Sequence, residues 1–448
     1  MERAESIHRA MTGGRIRSLI IKLSIPNTLG LLVVAAYSLA DSFFVSSLGT
    51  EAGAAVGVAF SLHVLVQAVG FTLGMGAGSL LSRALGRRDT IAASRYAAVA
   101  FLLSLVIGGA ITALGLTFQE PLLRLLGARG DVLPMARAYV RPFLFAAPVM
   151  CAVFVLSQTL RAEGKAFYSM TGLLVGSALN VALDPLLITR FGMGIAGAST
   201  ATLISQCASL CVLLSAYLFR RSALSLRVFR LRALAESGRI FAAGLPSLFR
   251  QGLSGVATVL LNHASADYGD AAVSAMSLVS RIFILVFSFC LGIGQGMMPV
   301  VGYNRGAGNT ARVKKAYVFS MIAASAVMLA FSIPLFTMAP RILALFQNDA
   351  EAVRIGASAL RAQSLVLFTH GLVTCTILYL QAIGHPVRGT VLASARQGIF
   401  FLPLIFILPA QLGLVGLEWA QPISDALTLL FALPFVRFAF RNLKKEEL

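Results

Sequence analysis

The sequence predicts an all-α, polytopic membrane protein of 12 transmembrane helices in two six-helix lobes related by a pseudo-twofold axis. Three observations lead there. First, 58% of the 448 residues are hydrophobic and only 12% are charged, whereas soluble domains carry roughly 25% charged residues. Second, apolar stretches recur at intervals of about 35 to 40 residues, and roughly 20 apolar residues suffice to cross a hydrocarbon core as a helix. Third, the chain matches itself when shifted by 220 residues.

The expected spans lie at 19–42, 53–77, 93–117, 138–160, 166–189, 194–219, 240–262, 272–300, 315–339, 358–383, 388–409 and 415–436. The first follows basic residues, contains Pro26, and is too long for a signal-peptide core, so it reads as an uncleaved span. The connections alternate in charge. One side carries 26 of the 37 Lys and Arg residues: the N-terminus, the Arg83–Arg95 region, Arg161 and Lys165, the segment 220–239, the Arg305–Lys315 loop, Arg388 and the C-terminal tail. The other carries eight, namely Arg124, Arg129, Arg137, Arg141, Arg190, Arg341, Arg354 and Arg361. Positive loops stay inside, so both termini are expected in the cytoplasm, with the protein in the cell (inner or plasma) membrane. The net charge of +19 is then a record of topology, with attraction to anionic membrane lipid as a second effect, and no nucleic-acid partner is implied.

The repeat pairs Pro26 with Pro246, Gly49 with Gly269, Gly74 with Gly294, Gly76 with Gly296, Gly86 with Gly306 and Gly164 with Gly384. It divides the chain into an N-terminal lobe (1–219), a basic cytoplasmic linker (220–239) and a C-terminal lobe (240–448). Each half has an even number of spans, so both enter the membrane in the same sense, an arrangement suited to alternating access.

The duplication is an internal control on the polar residues. Asp41 has Leu261 as its counterpart, and Asp184 falls opposite the apolar run Ile399–Leu404, so both acids belong to the first lobe alone. A carboxylate at mid-span costs about 2.5–3.5 kcal/mol on insertion scales. Tyr37 lies four residues before Asp41 and Asn180 four before Asp184, placing each pair on one helical face. Burial raises a carboxylate's affinity for protons and neighbouring donors lower it, so such a group can load and release H+. The same oxygens, with Asn180 and Thr202, equally suit Na+ as a metal ligand set of Asp41, Asn180, Asp184 and Thr202. For Asp184 a plainer alternative is that it satisfies backbone freed by Pro185.

Pro26, 15 residues before Asp41, removes a helix hydrogen bond and offers either a hinge tied to protonation of Asp41 or a static kink. Tyr139, early in the fourth span, is placed to face a first-lobe substrate cavity. Arg250 reads as a residue near a cytoplasmic helix end that snorkels. Arg281 and Arg396 read as pairing with carbonyls or lining a water-filled space, His63, His263 and His370 as packing residues, and Asp425 is left without an assignment.

The five cysteines (Cys151, Cys207, Cys211, Cys290, Cys375) lie in apolar stretches with no CxxC pair, which argues against disulfides or thiolate metal sites. No GxxxxGK[ST], HExxH or GxSxG motif is present. An enzyme is not expected, and no cofactor beyond a coupling ion, H+ or Na+.

These features resemble the multidrug and toxic compound extrusion (MATE) family, in its DinF-like branch. The resemblance rests on the first-span pattern from Pro26 to Asp41, Gly306-Ala-Gly-Asn309, Asn180-x-x-x-Asp184-Pro185 and Gly194-x-x-Gly197-Ala198, and it covers nearly the whole chain. It implies a MATE/MOP-type fold and a monomeric drug/H+ or drug/Na+ antiporter that exports small, amphipathic, often cationic molecules. It also implies that Asp41, Tyr37, Asn180, Asp184, Thr202 and Tyr139 form a first-lobe coupling and binding network, with Pro26 as the bending point. The acidic ligands of the NorM-like branch in the seventh and tenth spans have no counterpart here, which favours coupling in the first lobe. A lipid-linked oligosaccharide flippase of the same superfamily is the competing reading, sustained by Arg250, Arg281 and Arg396.

Overall fold

The computed structural model describes residues 2–46, 48–130, 132–219, 221–226 and 231–445, and their side chains except at 2–4, 38–43, 45, 46, 50, 231–233, 442, 444 and 445. Helices and turns make up the described residues, with no strand among them. Every expected span has a helical counterpart. The first six are Ile16–Ser46, Thr50–Gly86, Thr90–Thr117, Val132–Glu163, Ala166–Pro185 continued by the π-helix Leu186–Arg190, and Ile195–Leu218. The next three are Ser237–Ala266, Asp270–Gly306 and Thr310–Thr337.

The last three differ in form. The tenth span is two helices, Ala350–Val366 and Thr369–Ile383, bent by 57°. At the bend the Thr369 hydroxyl donates to the Val366 carbonyl (2.7 Å), and His370 N–H reaches back only three residues, to Leu367 O (3.2 Å), so the ladder tightens and turns. The eleventh is Pro386–Ser394, a π-helix Ala395–Phe401, and Leu402–Leu412. Pro403 lacks the N–H that would bond the turn before it, and the π segment ends two residues ahead of it. Leu414–Lys445 is the twelfth.

Among the described residues ten single helices are long and apolar enough to cross a membrane, and the bent pair makes an eleventh. Ser237–Ala266 has the length, at 30 residues, but Arg250 and Gln251 interrupt its apolar run.

The chain packs as two compact units, one of Met1–Met11 with Leu29–Gly244 and the other of Thr12–Thr28 with Leu245–Leu448. The first and seventh spans therefore each pass from one unit to the other as continuous helices, two residues after Pro26 and two before Pro246. Close helix crossings fix the exchanged halves, and they obey the repeat. Within the first unit, a Cβ at Gly76 would collide with the Ile240 backbone and one at Gly244 with the Thr72 backbone. Within the second, a Cβ at Gly296 would collide with Ser24 and one at Gly292 with Thr28. Shifting by 220 carries Thr72 to Gly292, Gly76 to Gly296 and Ser24 to Gly244. Gly74 likewise packs on Phe154 and Gln158 while Gly294 packs on Thr374 and Leu378, again 220 apart. Small residues spaced by four let helix backbones approach, which is where packing energy between membrane helices is found.

Gly292→Ala is expected to lower the detergent-state unfolding midpoint, at a cost of about 1–3 kcal/mol of overpacking. Gly109→Ala, where an added Cβ meets nothing within 4 Å, is the control and should leave it unchanged. Equal midpoints for both variants would show that the crossing yields.

The start of the linker is tied to the first unit by Glu163 at the end of the fourth span. Its carboxylate accepts from Ser222 Oγ (2.6 Å), Ala223 N (2.7 Å) and Lys165 Nζ (2.7 Å). Ser225 N–H donates to Ser94 Oγ (3.1 Å). Four buried or half-buried polar groups are thus satisfied where the chain leaves the helical lobe.

Candidate functional site

The first unit brings Asn180, Asp184 and Thr202 together. Asn180 and Asp184 stand one turn apart on the fifth span, and Thr202 faces them from the sixth. Asn180 Nδ2 lies 3.4 Å from Asp184 Oδ1 and 3.5 Å from Thr202 Oγ1, and all three residues are buried. Pro185 interrupts the ladder directly after Asp184, and the helix continues in the wider π form, a local widening that recurs at functional sites. Asn180 Oδ1 is buried with no hydrogen-bond partner. A hard cation takes such an oxygen together with a carboxylate and a hydroxyl, so the donor set fits Na+ as well as it fits a proton carried on Asp184.

The other predicted first-lobe residues are dispersed, and one of them falls in the second unit. Tyr37 is half-buried on the first span. Tyr139 is buried in the apolar cluster that includes Val140, Phe143 and Leu144. The side chain of Asp41 lies outside the described residues. Pro26 sits inside the unbroken helix Ile16–Ser46, half-buried and beside buried Asn27, in the part of that helix that belongs to the second unit. Among the described residues no three His, Cys, Asp or Glu side chains gather as a metal cluster.

The second unit holds an organised polar centre that the sequence reading did not assemble. Buried Asp425, on the twelfth span, accepts from Arg396 Nε (2.7 Å) and Gln421 Nε2 (2.9 Å) at Oδ1, and from Gln363 Nε2 (2.7 Å) at Oδ2. His370 Nε2 stands 3.2 Å from the same Oδ2. Arg396 belongs to the π-helical turn of the eleventh span, and its guanidinium lies 4.7 Å from the Phe283 ring centre. His370 meets the Phe283 and Phe287 rings edge-on at 5.2 and 5.7 Å. The bend in the tenth span is what turns His370 into this group.

Three expectations change accordingly. His370 is not a lone packing histidine, since its Nε2 stands 3.2 Å from the Asp425 carboxylate. Arg396 pairs with a carboxylate. Arg250 is the fourteenth residue of a 30-residue helix, too deep to snorkel, and its Nη2 is buried. One signal was available in the sequence: Gln421 precedes Asp425 by four residues, as Asn180 precedes Asp184. His63 does behave as a packing residue, bonded to Gln67 (2.8 Å) and set against Phe143, while Arg281 and His263 are exposed.

Comparison with known proteins gives this geometry its family. The MatE family model matches the chain twice, over residues 26–186 and 246–407, and so reproduces the 220-residue repeat. The chain belongs to the MatE family. The multidrug export protein MepA of Staphylococcus aureus (strain MSSA476) is 26% identical over 419 residues, 93% of this chain and 92% of that one. The outward-facing structure of a multidrug resistance MATE family transporter of the MOP superfamily superposes with a TM-score of 0.91 at 29% identity, covering 97% of this chain and 98% of that one. A crystal structure of MATE in the bent conformation gives 0.89 at 29% identity, covering 98% of each chain. As a MatE protein the chain is a multi-pass membrane transporter and not an enzyme, built on the 12-helix, two-lobe fold expected from its sequence.

Proposed function

We propose that this MatE protein exports small amphipathic, often cationic compounds by alternating access, in antiport with H+ or Na+ coupled through Asp41 and the Asn180–Asp184–Thr202 group. The observation that carries the reading is the buried Asp184, met by Asn180, which in turn reaches Thr202, beside a π-helical turn in a lobe whose repeat partner lacks the acid. The family match and the MepA relative supply the transport class. Loading an ion removes the net negative charge of the acid pair, and releasing it restores a site for a cationic substrate, so one lobe can exchange the two. The charge asymmetry of the loops supports cytoplasmic termini and outward export from the cell membrane.

The test is efflux of a fluorescent cationic dye from proteoliposomes under an imposed pH gradient and then a sodium gradient, for wild type and Asp41→Asn. One gradient is expected to drive dye in the wild type and neither in the variant. Lack of movement under both gradients, or a variant equal to wild type, would remove the antiport reading and make lipid flipping the next assay.

Pro26 is assigned the bending role in this cycle. Pro26→Ala restores the missing N–H and is expected to slow gradient-driven efflux several-fold while leaving dye binding unchanged. Unchanged efflux would reduce Pro26 to a fixed kink.

A further inference from the structure

The second unit carries a charge imbalance that its own residues leave uncorrected. Its polar centre contains one carboxylate, Asp425, paired with Arg396, and a second guanidinium, Arg250, stands on the neighbouring seventh span, which packs on the eleventh where a Cβ at Gly398 would meet Leu253. Asp425 is committed, since Arg396, Gln421, Gln363 and His370 occupy both of its oxygens. Arg250 has only its neighbour Gln251, at 3.3 Å from Nη1, and its Nη2 is buried with no hydrogen-bond partner. The residue as a whole is half-buried, as is Arg396, so both stand at the edge of the packed interior. A guanidinium with a buried, unused Nη2 is costly, and the chemistry that best matches it is a planar or tetrahedral oxyanion that accepts its N–H bonds. Phe283 and Phe287, flanking Arg396 and His370, offer apolar faces beside it.

We propose that Arg250, backed by the Arg396–Asp425 pair, is a second-lobe subsite for the carboxylate or phosphate group of an amphipathic ligand. The subsite rests on the export reading above and extends its substrate class from cations to zwitterions and anionic amphiphiles. Arg396 is a positioning residue here: Asp425 holds it in place and balances its charge, so the net positive charge of the group rests on Arg250.

The experiment measures equilibrium binding, by fluorescence polarisation on the full-length protein in detergent, of two rhodamines that differ only in a free carboxylate or its methyl ester. Wild type is expected to bind the zwitterionic acid about tenfold more tightly than the cationic ester. Arg250→Gln should abolish that preference by weakening the acid alone, and Arg250→Lys, which keeps the charge, should retain part of it. Ester affinity equal to wild type in Arg250→Gln also certifies that the variant is folded. Competition against the acid dye separates the ligand sources: dodecyl phosphate displacing it where inorganic phosphate does not marks a lipid-like amphiphile, and equal displacement by both marks a free oxyanion. Equal affinity of wild type for the two dyes, or a loss in Arg250→Gln shared by both, overturns the subsite and leaves the export reading intact. Failure of wild type to bind either dye overturns both.

Discussion

Replacing Asp425 by alanine is expected to destabilise the second unit by about 3–5 kcal/mol, the cost of stranding a buried charge whose partner has been removed. The carboxylate is buried and accepts three hydrogen bonds, all within 2.9 Å, with His370 Nε2 standing 3.2 Å away. Once it is gone, Arg396 keeps the Phe283 ring but loses its counter-ion, while Gln363 and Gln421 lose their acceptor. Asp425→Asn retains the shape and one acceptor oxygen, so it should fall between alanine and wild type. The double change Asp425→Leu with Arg396→Met removes both charges and should recover most of the loss, because apolar replacement of a complete buried pair is often neutral or better. Thermal unfolding in detergent checks the series. Single and double variants with equal midpoints would mean that the pair is not energetically coupled.

Asp184→Asn is expected to reduce gradient-driven dye efflux about 10- to 100-fold with little change in the unfolding midpoint. The asparagine fills the same space and can still accept from Asn180, whose contact with Thr202 is untouched, so packing survives. The titratable, cation-binding charge does not. A bond to a charged group is worth about 1.5–3 kcal/mol, and each 1.4 kcal/mol is tenfold in occupancy of the coupling ion. Efflux unaffected by Asp184→Asn, with Asp41→Asn inactive, would confine coupling to the first span and leave Asp184 as a partner of the backbone around Pro185.

The two lobes use their polar residues differently although they descend from one repeat. Among the glycines that recur at 220 residues, Gly74 and Gly294 meet corresponding neighbours, Gly76 and Gly296 lie at close helix crossings, and Gly49, Gly269, Gly164 and Gly384 take positive φ in turns. The acids and arginines of the two polar groups, Asp41, Asp184, Asp425, Arg250 and Arg396, do not recur. Asn180 and Asp184 on the fifth span correspond to Phe400 and Leu404 on the eleventh, while the eleventh carries Arg396 opposite Gly176. Packing constraints have been kept in duplicate and charge has been divided.

By itself, the sequence determined the membrane class, the number and place of the spans and the duplication. It also determined the grouping of Asn180 with Asp184, because these follow from hydropathy, loop charge, register and the four-residue period of a helix. Tertiary structure alone decided which residues far apart in sequence meet. Arg396, His370 and Gln363 converge on Asp425 across 29 to 62 positions. It also decided that the first and seventh spans are shared between units at Thr28–Leu29 and Gly244–Leu245, and that the tenth span bends to deliver His370. The physical reason is range. Hydropathy and periodicity act along one helix and leave their mark in its sequence, whereas a bend, a crossing or a buried ion pair depends on the helix packed against it.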